Sequence, residues 1–454
     1  MLLASAVTRK GPRGEVFSTF RPSRPIDRPA APGHPVAVKQ LPSGVRPIVA
    51  ALVLVAACGS PVAPTPGPGG LSSANPNRAA GSPSAAAGLP SATPVPAPGR
   101  ELYGFVPYWE MDDTIAAHLA ATPLTTVGLF SVGNTSKGAI NTAEPGYKQI
   151  TGAVGAAMIG AAHHRGMRVE LVFTSFGAAR NATFFGRQSL QDATIASLVA
   201  LVGTLRVDGV DVDVEGLDIS LVEAYGSFVG RLRAALVAAD PGDTVSVATG
   251  SGPTGAAMAS AAVAALVDRV FLMAYDYRTA TSAPGAVSPI ARADEGRSIT
   301  WTLDLYGAMG IPPQRLLLGL PLYGMEWPVT GPVVSAPSTG KGTAWILRRH
   351  LDVLTSAGAV PANDPLEGVD VYFVGSDGSL APPPSLPPTL DPIPDDRTWS
   401  AVYVDSAATL ERKIGLGESR GYAGAGFWAI GYERGLPAYT GLMQRFVAGG
   451  VAAS

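Results

Sequence analysis

Three acidic residues alternate with valines in one short segment, and this spacing is the strongest chemical signal in the chain. Asp211, Asp213 and Glu215 are separated by Val212 and Val214. In a β-strand successive side chains point to opposite faces, so the three carboxyl groups share one face. Crowded carboxyls on an apolar strand repel one another and lose hydration, which raises the pKa of at least one of them. The pattern therefore favours a catalytic acid cluster, with Glu215 at the end of its strand.

Two other interpretations of this acidic segment are a calcium site and a solvated edge strand. Oxygen-rich clusters bind hard cations, but calcium loops carry their carboxylates on glycine-containing turns. The apolar residues that flank each acidic position disfavour a solvated edge. Of the three interpretations, an acid cluster without a metal is favoured.

From Arg100 onward, strand-like and helix-like segments alternate along the chain, and these elements must position the acidic cluster. Eight strand-like runs with intervening helical segments predict an α/β fold, and the number and spacing match a (β/α)8 TIM barrel. A doubly wound open sheet is the alternative, although no glycine-rich phosphate turn follows any strand. The predicted strands are Leu102–Pro107, Thr126–Val132, Arg168–Ser175, Gly209–Glu215, Thr244–Thr249, Arg269–Tyr275, Arg315–Pro321 and Ala425–Ile430. The predicted helices are Ile150–His164, Asp192–Leu205, Leu221–Ala238, Ala256–Leu266 and Ser298–Met309.

A long segment separates the seventh and eighth predicted strands. It contains a helix-like piece at Thr343–Ala357, a strand-like piece at Val369–Val374 and another at Trp399–Val404. We expect a small α+β insertion over residues 325–400, carried by a barrel domain over residues 100–447.

The first hundred residues differ in composition from the barrel region. The apolar run Ile48–Ala57 is too short to span a bilayer as a helix, and it follows a basic flank, as in a secretory signal. Its Val-Ala-Ala-Cys58 ending resembles the lipobox of bacterial lipoproteins, which predicts lipidation of Cys58; a buried strand with an incidental cysteine is the alternative. Residues 1–57 are then a leader. Because 44 residues precede the signal, a translation start near Val45 is a further hypothesis.

Residues 58–99 are rich in Pro, Ala, Gly, Ser and Thr. They offer too little apolar surface to offset the entropy of ordering them, so we expect a disordered tether. The formal net charge of the chain is −2, but the first hundred residues carry ten Lys or Arg and two acidic residues. The basic excess belongs to the leader and gives no argument for nucleic-acid binding. The single Cys excludes an intramolecular disulfide and a cysteine-cluster zinc site.

The acidic segment and three further motifs resemble glycoside hydrolase family 18, the chitinase-like barrels. Asp208–Glu215 matches the DGxDxDxE signature of that family. Met273–Tyr277 looks like its MxYD segment, Gly319–Gly324 like its strand-seven motif, and Gly424–Gly431 like its closing strand. The resemblance covers about residues 101–447.

The resemblance implies a role for each carboxyl. Glu215 would be the general acid, and Asp213 would turn toward the substrate's N-acetyl group, whose oxygen attacks the anomeric carbon. Asp211 would share a proton with Asp213, and Tyr275 would hydrogen-bond the acetamido group. The residues that would contact substrate are Asp276, Trp428, Tyr277, Tyr323, Trp327 and Tyr108.

Several positions depart from the chitinase pattern. Val214 precedes the catalytic Glu in place of Trp or Tyr, Thr174–Gly177 lacks paired glycines, and Met325–Trp327 replaces a common Arg. With Tyr103–Trp109, these departures resemble the bacterial spore-germination and cortex-lytic N-acetylglucosaminidase branch.

The resemblance implies retaining, substrate-assisted hydrolysis of β-1,4 bonds next to N-acetylglucosamine in peptidoglycan or chitin-type glycans, with no metal or cofactor. We expect a monomer outside the cytoplasm, anchored in the bacterial cell membrane through Cys58 or secreted. A catalytically inactive carbohydrate-binding protein, a lectin, is the alternative. A cell-wall scaffold is a third interpretation, but it predicts no aromatic residues in the cleft, and the chain has several candidates.

Overall fold

The computed structural model describes residues 100–381 and 397–449, in which eight parallel strands close into a barrel. The strands, numbered along the chain, are β1 (Glu101–Pro107), β2 (Thr126–Gly133), β3 (Arg168–Phe176), β4 (Gly209–Glu215), β5 (Thr244–Gly250), β6 (Arg269–Met273), β7 (Leu316–Pro321), β8 (Tyr323–Val329), β9 (Thr343–Ile346), β10 (Ala362–Asp364), β11 (Val369–Gly375), β12 (Trp399–Val404) and β13 (Gly424–Trp428). Strands β1 to β7 pair in sequence, and β13 closes the barrel between β7 and β1. The predicted (β/α)8 barrel is therefore confirmed.

Helices between the strands cover the outside of the barrel, and one short helix, Leu351–Leu354, lies in the segment inserted between β7 and β13. They are α1 (Ile115–Ala121), α2 (Pro145–Ile150), α3 (Ala153–His164), α4 (Ala178–Phe185), α5 (Gln188–Leu205), α6 (Val222–Ala239), α7 (Pro253–Ala264), α8 (Ile299–Ala308), α9 (Leu351–Leu354), α10 (Ala407–Ser419) and α11 (Pro437–Ala448). Their apolar stripes recur at helical spacing; in α5 the buried residues include Ile195, Leu198 and Val202. Helices α8 and α10 begin at serines whose hydroxyls accept a backbone N–H of the first turn.

The segment between β7 and β13 forms a second, five-stranded sheet in the order β10-β11-β12-β8-β9. The sheet begins at Tyr323 and ends at Val404, slightly wider than the predicted 325–400. The prediction of a helix over Thr343–Ala357 was wrong, because its first residues pair with β8 as strand β9 and only Leu351–Leu354 is α-helical. Strand pairing with a neighbour overrides the local preference there.

Aromatic side chains fill the barrel interior at mid-height. The rings of Tyr103 and Phe105 lie 4.8 Å apart, and Phe105 and Phe271 meet edge to face at the same distance. Glycines make room for them, since a Cβ on Gly319 would lie 2.3 Å from the Phe271 ring and one on Gly426 2.5 Å from it. These rings lie between strands β1, β6, β7 and β13, so the polar part of the interior lies on the side of β3, β4 and β5.

A fully buried ion pair fixes the start of α10. The Lys413 ammonium contacts the carboxylate of Asp405, which also accepts the Thr409 hydroxyl at 2.8 Å. Tyr439 of α11 donates its hydroxyl to the Asp405 carbonyl at 2.7 Å. The pair therefore connects the end of β12 to both C-terminal helices.

Three sequence-based predictions fall on residues outside the described ranges: the leader, the tether and the lipidated Cys58. Within residues 100–381 and 397–449, no helix combines the length and the apolar composition needed to cross a bilayer.

Candidate active site

Strand β4 presents its acidic side chains to the barrel interior. Asp211 and Asp213 are buried there, whereas Glu215, the last residue of the strand, is exposed at the C-terminal mouth. The intervening valines are buried in the outer core between the barrel and the helices. The predicted alternation is confirmed, and it produces a column of carboxyls with only its top open to solvent.

The two lower carboxyls lack hydrogen-bond donors. Neither oxygen of Asp211 nor Oδ1 of Asp213 has a partner among the described residues. Burial, followed by the charge on Glu170, raises the pKa of Asp211 well above its usual range. Burial also raises the pKa of Asp213, with further contributions from Glu215 and Asp211. Both shifts favour the protonated form, and the Asp213 carboxyl is influenced by the charges directly above and below it on the strand.

The surroundings of Glu215 favour its protonated form. Partial desolvation at the mouth raises its pKa, and the charge on Asp276 raises it further. Its backbone is held firmly, because its carbonyl accepts the Gly177 N–H at 2.9 Å and the Asn181 side-chain amide at 2.7 Å. Asn181 in turn accepts the buried Ser175 hydroxyl at 2.7 Å. The sequence carried no signal for Asn181, since its bond is to a backbone carbonyl.

Tyr275 and Asp276 follow the end of β6 and reach the same mouth. Burial raises the pKa of Tyr275, and the charges of Asp213, Asp276 and Glu215 raise it further, so its hydroxyl lies among the carboxyls. Asp276 adopts a positive φ of 58° and accepts the hydroxyl of Tyr323. The structure thus brings these predicted residues together with Glu215.

Aromatic side chains form one wall of the mouth. Trp428, at the end of β13, meets Phe130 edge to face at 4.7 Å and Trp109 at 6.3 Å. Phe130 is also stacked with Phe176 at 6.3 Å. Trp109 is 45% exposed and Phe176 43% exposed, so two aromatic rings face solvent beside the acid. Sequence reasoning missed Phe130 and Phe176 as wall residues. Phe176 lies within Thr174–Gly177, the segment that lacks paired glycines, and it is the register partner of Glu215.

One predicted substrate contact is corrected by the structure. Trp327 is completely buried in the core of the second sheet, where it meets Tyr403 edge to face, so it is no sugar platform.

Two further predicted contacts are half-buried tyrosines. The Tyr277 hydroxyl is bonded to Thr302 of α8 at 2.7 Å. Tyr108 meets Trp109 edge to face at 4.9 Å, and Trp109 in turn reaches Trp428. A role of either tyrosine in substrate binding stays a prediction.

The calcium interpretation gains no support from the described parts of the chain. No group of three or more His, Cys, Asp or Glu side chains there is arranged to hold a metal ion.

Known proteins resemble this chain in sequence over part of their length. The "Putative sporulation-specific glycosylase YdhD" of Bacillus subtilis is 28% identical over 169 residues, which are 36% of this chain and 39% of that protein. The endochitinase of Brugia malayi is 21% identical over 299 residues, 59% of this chain and 54% of that protein. The chain therefore spans about two fifths to half of the length of these relatives.

Solved structures share the fold. The spore cortex-lytic enzyme SleL of Bacillus cereus superimposes with a TM-score of 0.58 at 18% identity, over 76% of this chain and 74% of SleL. A Cycas revoluta chitinase in complex with (GlcNAc)3 gives a TM-score of 0.62 at 15% identity, over 78% of this chain and all of that one. The family model of glycosyl hydrolases family 18 matches residues 168–433, more than half of the chain. The chain belongs to glycosyl hydrolases family 18.

Proposed function

We propose that the protein hydrolyses β-1,4 glycosidic bonds next to N-acetylglucosamine, in peptidoglycan or chitin-type glycans, with retention of configuration. The observation that carries this proposal is the carboxyl column of β4, in which an accessible Glu215 stands above the buried, donor-free Asp211 and Asp213. A protonated acid above a proton-sharing pair is the arrangement that substrate-assisted hydrolysis requires.

In the first step Glu215 donates its proton to the glycosidic oxygen as the bond to the anomeric carbon breaks. The substrate's acetamido oxygen supplies the electron pair for the new bond to that carbon. Asp213 orients the acetamido group and stabilises its developing positive charge, while Asp211 exchanges the shared proton with it. In the second step Glu215 takes a proton from the water that attacks the anomeric carbon. Two inversions at that carbon give net retention.

The surrounding residues would hold the sugar in place. Tyr275 and Asp276 can hydrogen-bond the acetamido group from the side of β6, and Tyr323 fixes the Asp276 carboxylate. The Trp428 indole can lie under the sugar ring, because aromatic faces pack well against the C–H groups of sugars. The apolar wall also keeps water from the reacting carbon.

The substrate class is supported by two of the related proteins. One solved relative is named as a spore cortex-lytic enzyme, and another is a chitinase solved with (GlcNAc)3. The test is product release from N-acetylglucosamine oligosaccharides and from purified peptidoglycan, measured by chromatography with mass detection. Release from one of them is expected; binding without any product would favour the lectin.

The pH profile should depend on Asp276. Replacing Asp276 by Asn removes a charge that raises the pKa of Glu215. The general acid works only while protonated, so activity is lost as the pH rises through that pKa. We expect the alkaline limb of the kcat/KM profile to move to lower pH by roughly half a unit. Asp294→Asn, an exposed residue of the same loop, should leave the limb in place; an equal shift in both variants would contradict the assignment.

We further propose that the enzyme is anchored outside the cytoplasm by a lipid on Cys58. The support is the apolar run before Cys58 and the Pro/Ala/Gly-rich tether after it. Expressed in a bacterium with lipoprotein processing, the wild-type chain should partition into the detergent phase. Cys58→Ser should move it to the aqueous phase; partition of both forms into the detergent phase would refute a Cys58 lipid.

A further inference from the structure

A third buried carboxyl, Glu170, lies in the barrel below Asp211 and Asp213. Glu170 of β3 points into the interior and is 2% exposed. Its carboxylate accepts three hydroxyls: Tyr103 at 2.9 Å, Thr244 at 2.8 Å and Ser246 at 3.0 Å. These donors come from strands β1 and β5, so the cluster spans the interior of the barrel.

The hydroxyl groups that donate to Glu170 make no hydrogen bond to Asp211. Ser246 is the direct cross-strand neighbour of Asp211 in the β4–β5 pairing, yet its hydroxyl is given to Glu170. Asp211 keeps no partner for either oxygen among the described residues. A buried carboxylate with three donors is stabilised in its charged form, whereas one with none is not. Of these two carboxyls, Glu170 therefore ionises first.

The pKa directions agree with this order. The pKa of Glu170 is raised by burial, and the hydroxyls of Thr244, Tyr103 and Ser246 oppose part of that shift. Burial raises the pKa of Asp211 well above its usual range, and the charge on Glu170 adds to that shift with no opposing hydrogen bond.

We propose that Glu170 is a positioning residue whose fixed negative charge keeps the shared proton on the Asp211–Asp213 pair. The inference rests on the proposed function, in which that pair must hold one proton while Asp213 orients the acetamido group of the substrate. Glu170 touches no substrate in this account; it acts through Asp211.

The other charged groups near the pair do not take over this role. Arg269, at the start of β6, is engaged by Glu101, with Nε 2.6 Å from Oε2. Asp268 acts on Glu170 and raises its pKa. The remaining titratable groups that act on the pair, or are acted on by it, are Tyr103 of β1, Tyr225 of α6, Tyr275 after β6 and Glu215 at the mouth.

The test is the titration of the pair in Glu170→Gln, followed by carboxyl 13C NMR of the full-length chain. Removing the charge lowers the proton affinity of the pair, so Asp211 and Asp213 should titrate at lower pH by about one unit. Glu170→Asp keeps the charge and should keep both titrations close to their wild-type positions. Glu101→Gln removes a charge from the floor of the same barrel, and it should leave both titrations in place.

An unchanged titration of the pair in a folded Glu170→Gln protein, or a shift to higher pH, would overturn the proposal. A merely structural role would lower stability or kcat without moving this titration. If Glu170→Gln does not fold, the same NMR titration of the wild-type chain, assigned with Glu170→Asp and Asp211→Asn, decides the question. Glu170 should titrate at lower pH than Asp211, and the reverse order would refute the proposal. Because this titration needs no turnover, it holds even if neither glycan is hydrolysed, which would refute only the proposed function.

Discussion

Replacing Glu215 by Gln is expected to lower kcat by about 10²- to 10⁴-fold, the usual contribution of a general acid. The amide has nearly the same shape as the acid but cannot donate a proton to the leaving oxygen. Glu215 is exposed, and its side chain has no hydrogen-bond partner in the described ranges, so the fold should be unaffected. Steady-state hydrolysis of N-acetylglucosamine oligosaccharides and thermal unfolding measure the two effects separately.

The matched control for this variant is Glu223→Gln. Glu223 is an exposed residue of the first turn of α6, and its replacement should leave kcat unchanged. Calorimetric titration with an oligosaccharide should show that Glu215→Gln still binds. Equal turnover in Glu215→Gln and wild type would remove Glu215 from the mechanism.

Replacing Lys413 by Met is expected to lower the free energy of unfolding by about 3–5 kcal/mol. The substitution keeps the volume of the side chain but leaves the Asp405 carboxyl buried without its cation. Burial already raises the pKa of Asp405, and Lys413 is the main group that opposes this shift. The variant must therefore bury an uncompensated charge or bind a proton. Urea unfolding followed by circular dichroism measures the loss.

Two controls separate the buried charge from simple loss of packing. Combining Lys413→Met with Asp405→Asn removes both charges, and it should recover a large part of the lost stability. Arg445→Met breaks the exposed pair with Glu411 on the same helices and should cost less than about 1 kcal/mol. If the double variant is no more stable than Lys413→Met, the buried charge is not the cause of the loss.

The barrel and its carboxyl column could be predicted because they follow from local periodicity. Alternation along β4 alone determines that Asp211, Asp213 and Glu215 share a face, and the structure keeps that strand at its predicted bounds. The secondary structure of Thr343–Ala357 could not be predicted from local periodicity. Its residues form a strand because β8 lies beside them, and that neighbour is brought there by the tertiary fold.

The site residue that sequence reasoning placed wrongly, Trp327, depends on the path of the chain beyond the end of a strand. Trp327 follows the strand-seven motif by only a few residues, yet the chain enters the second sheet first and buries the ring there. Tyr277 is adjacent to Asp276 but bonds to α8. Asn181 and Glu170 act through hydrogen bonds between elements that are distant in sequence, and no spacing rule predicts such bonds.

The most direct test of the central claim is the configuration of the first product. Proton NMR of N-acetylglucosamine oligosaccharide hydrolysis by the full-length chain, followed before mutarotation, distinguishes the two anomers. Substrate-assisted catalysis by Glu215 and Asp213 predicts the β-anomer as the first new reducing end. An α-anomer would mean that water attacks directly in a single inversion, and it would contradict the mechanism.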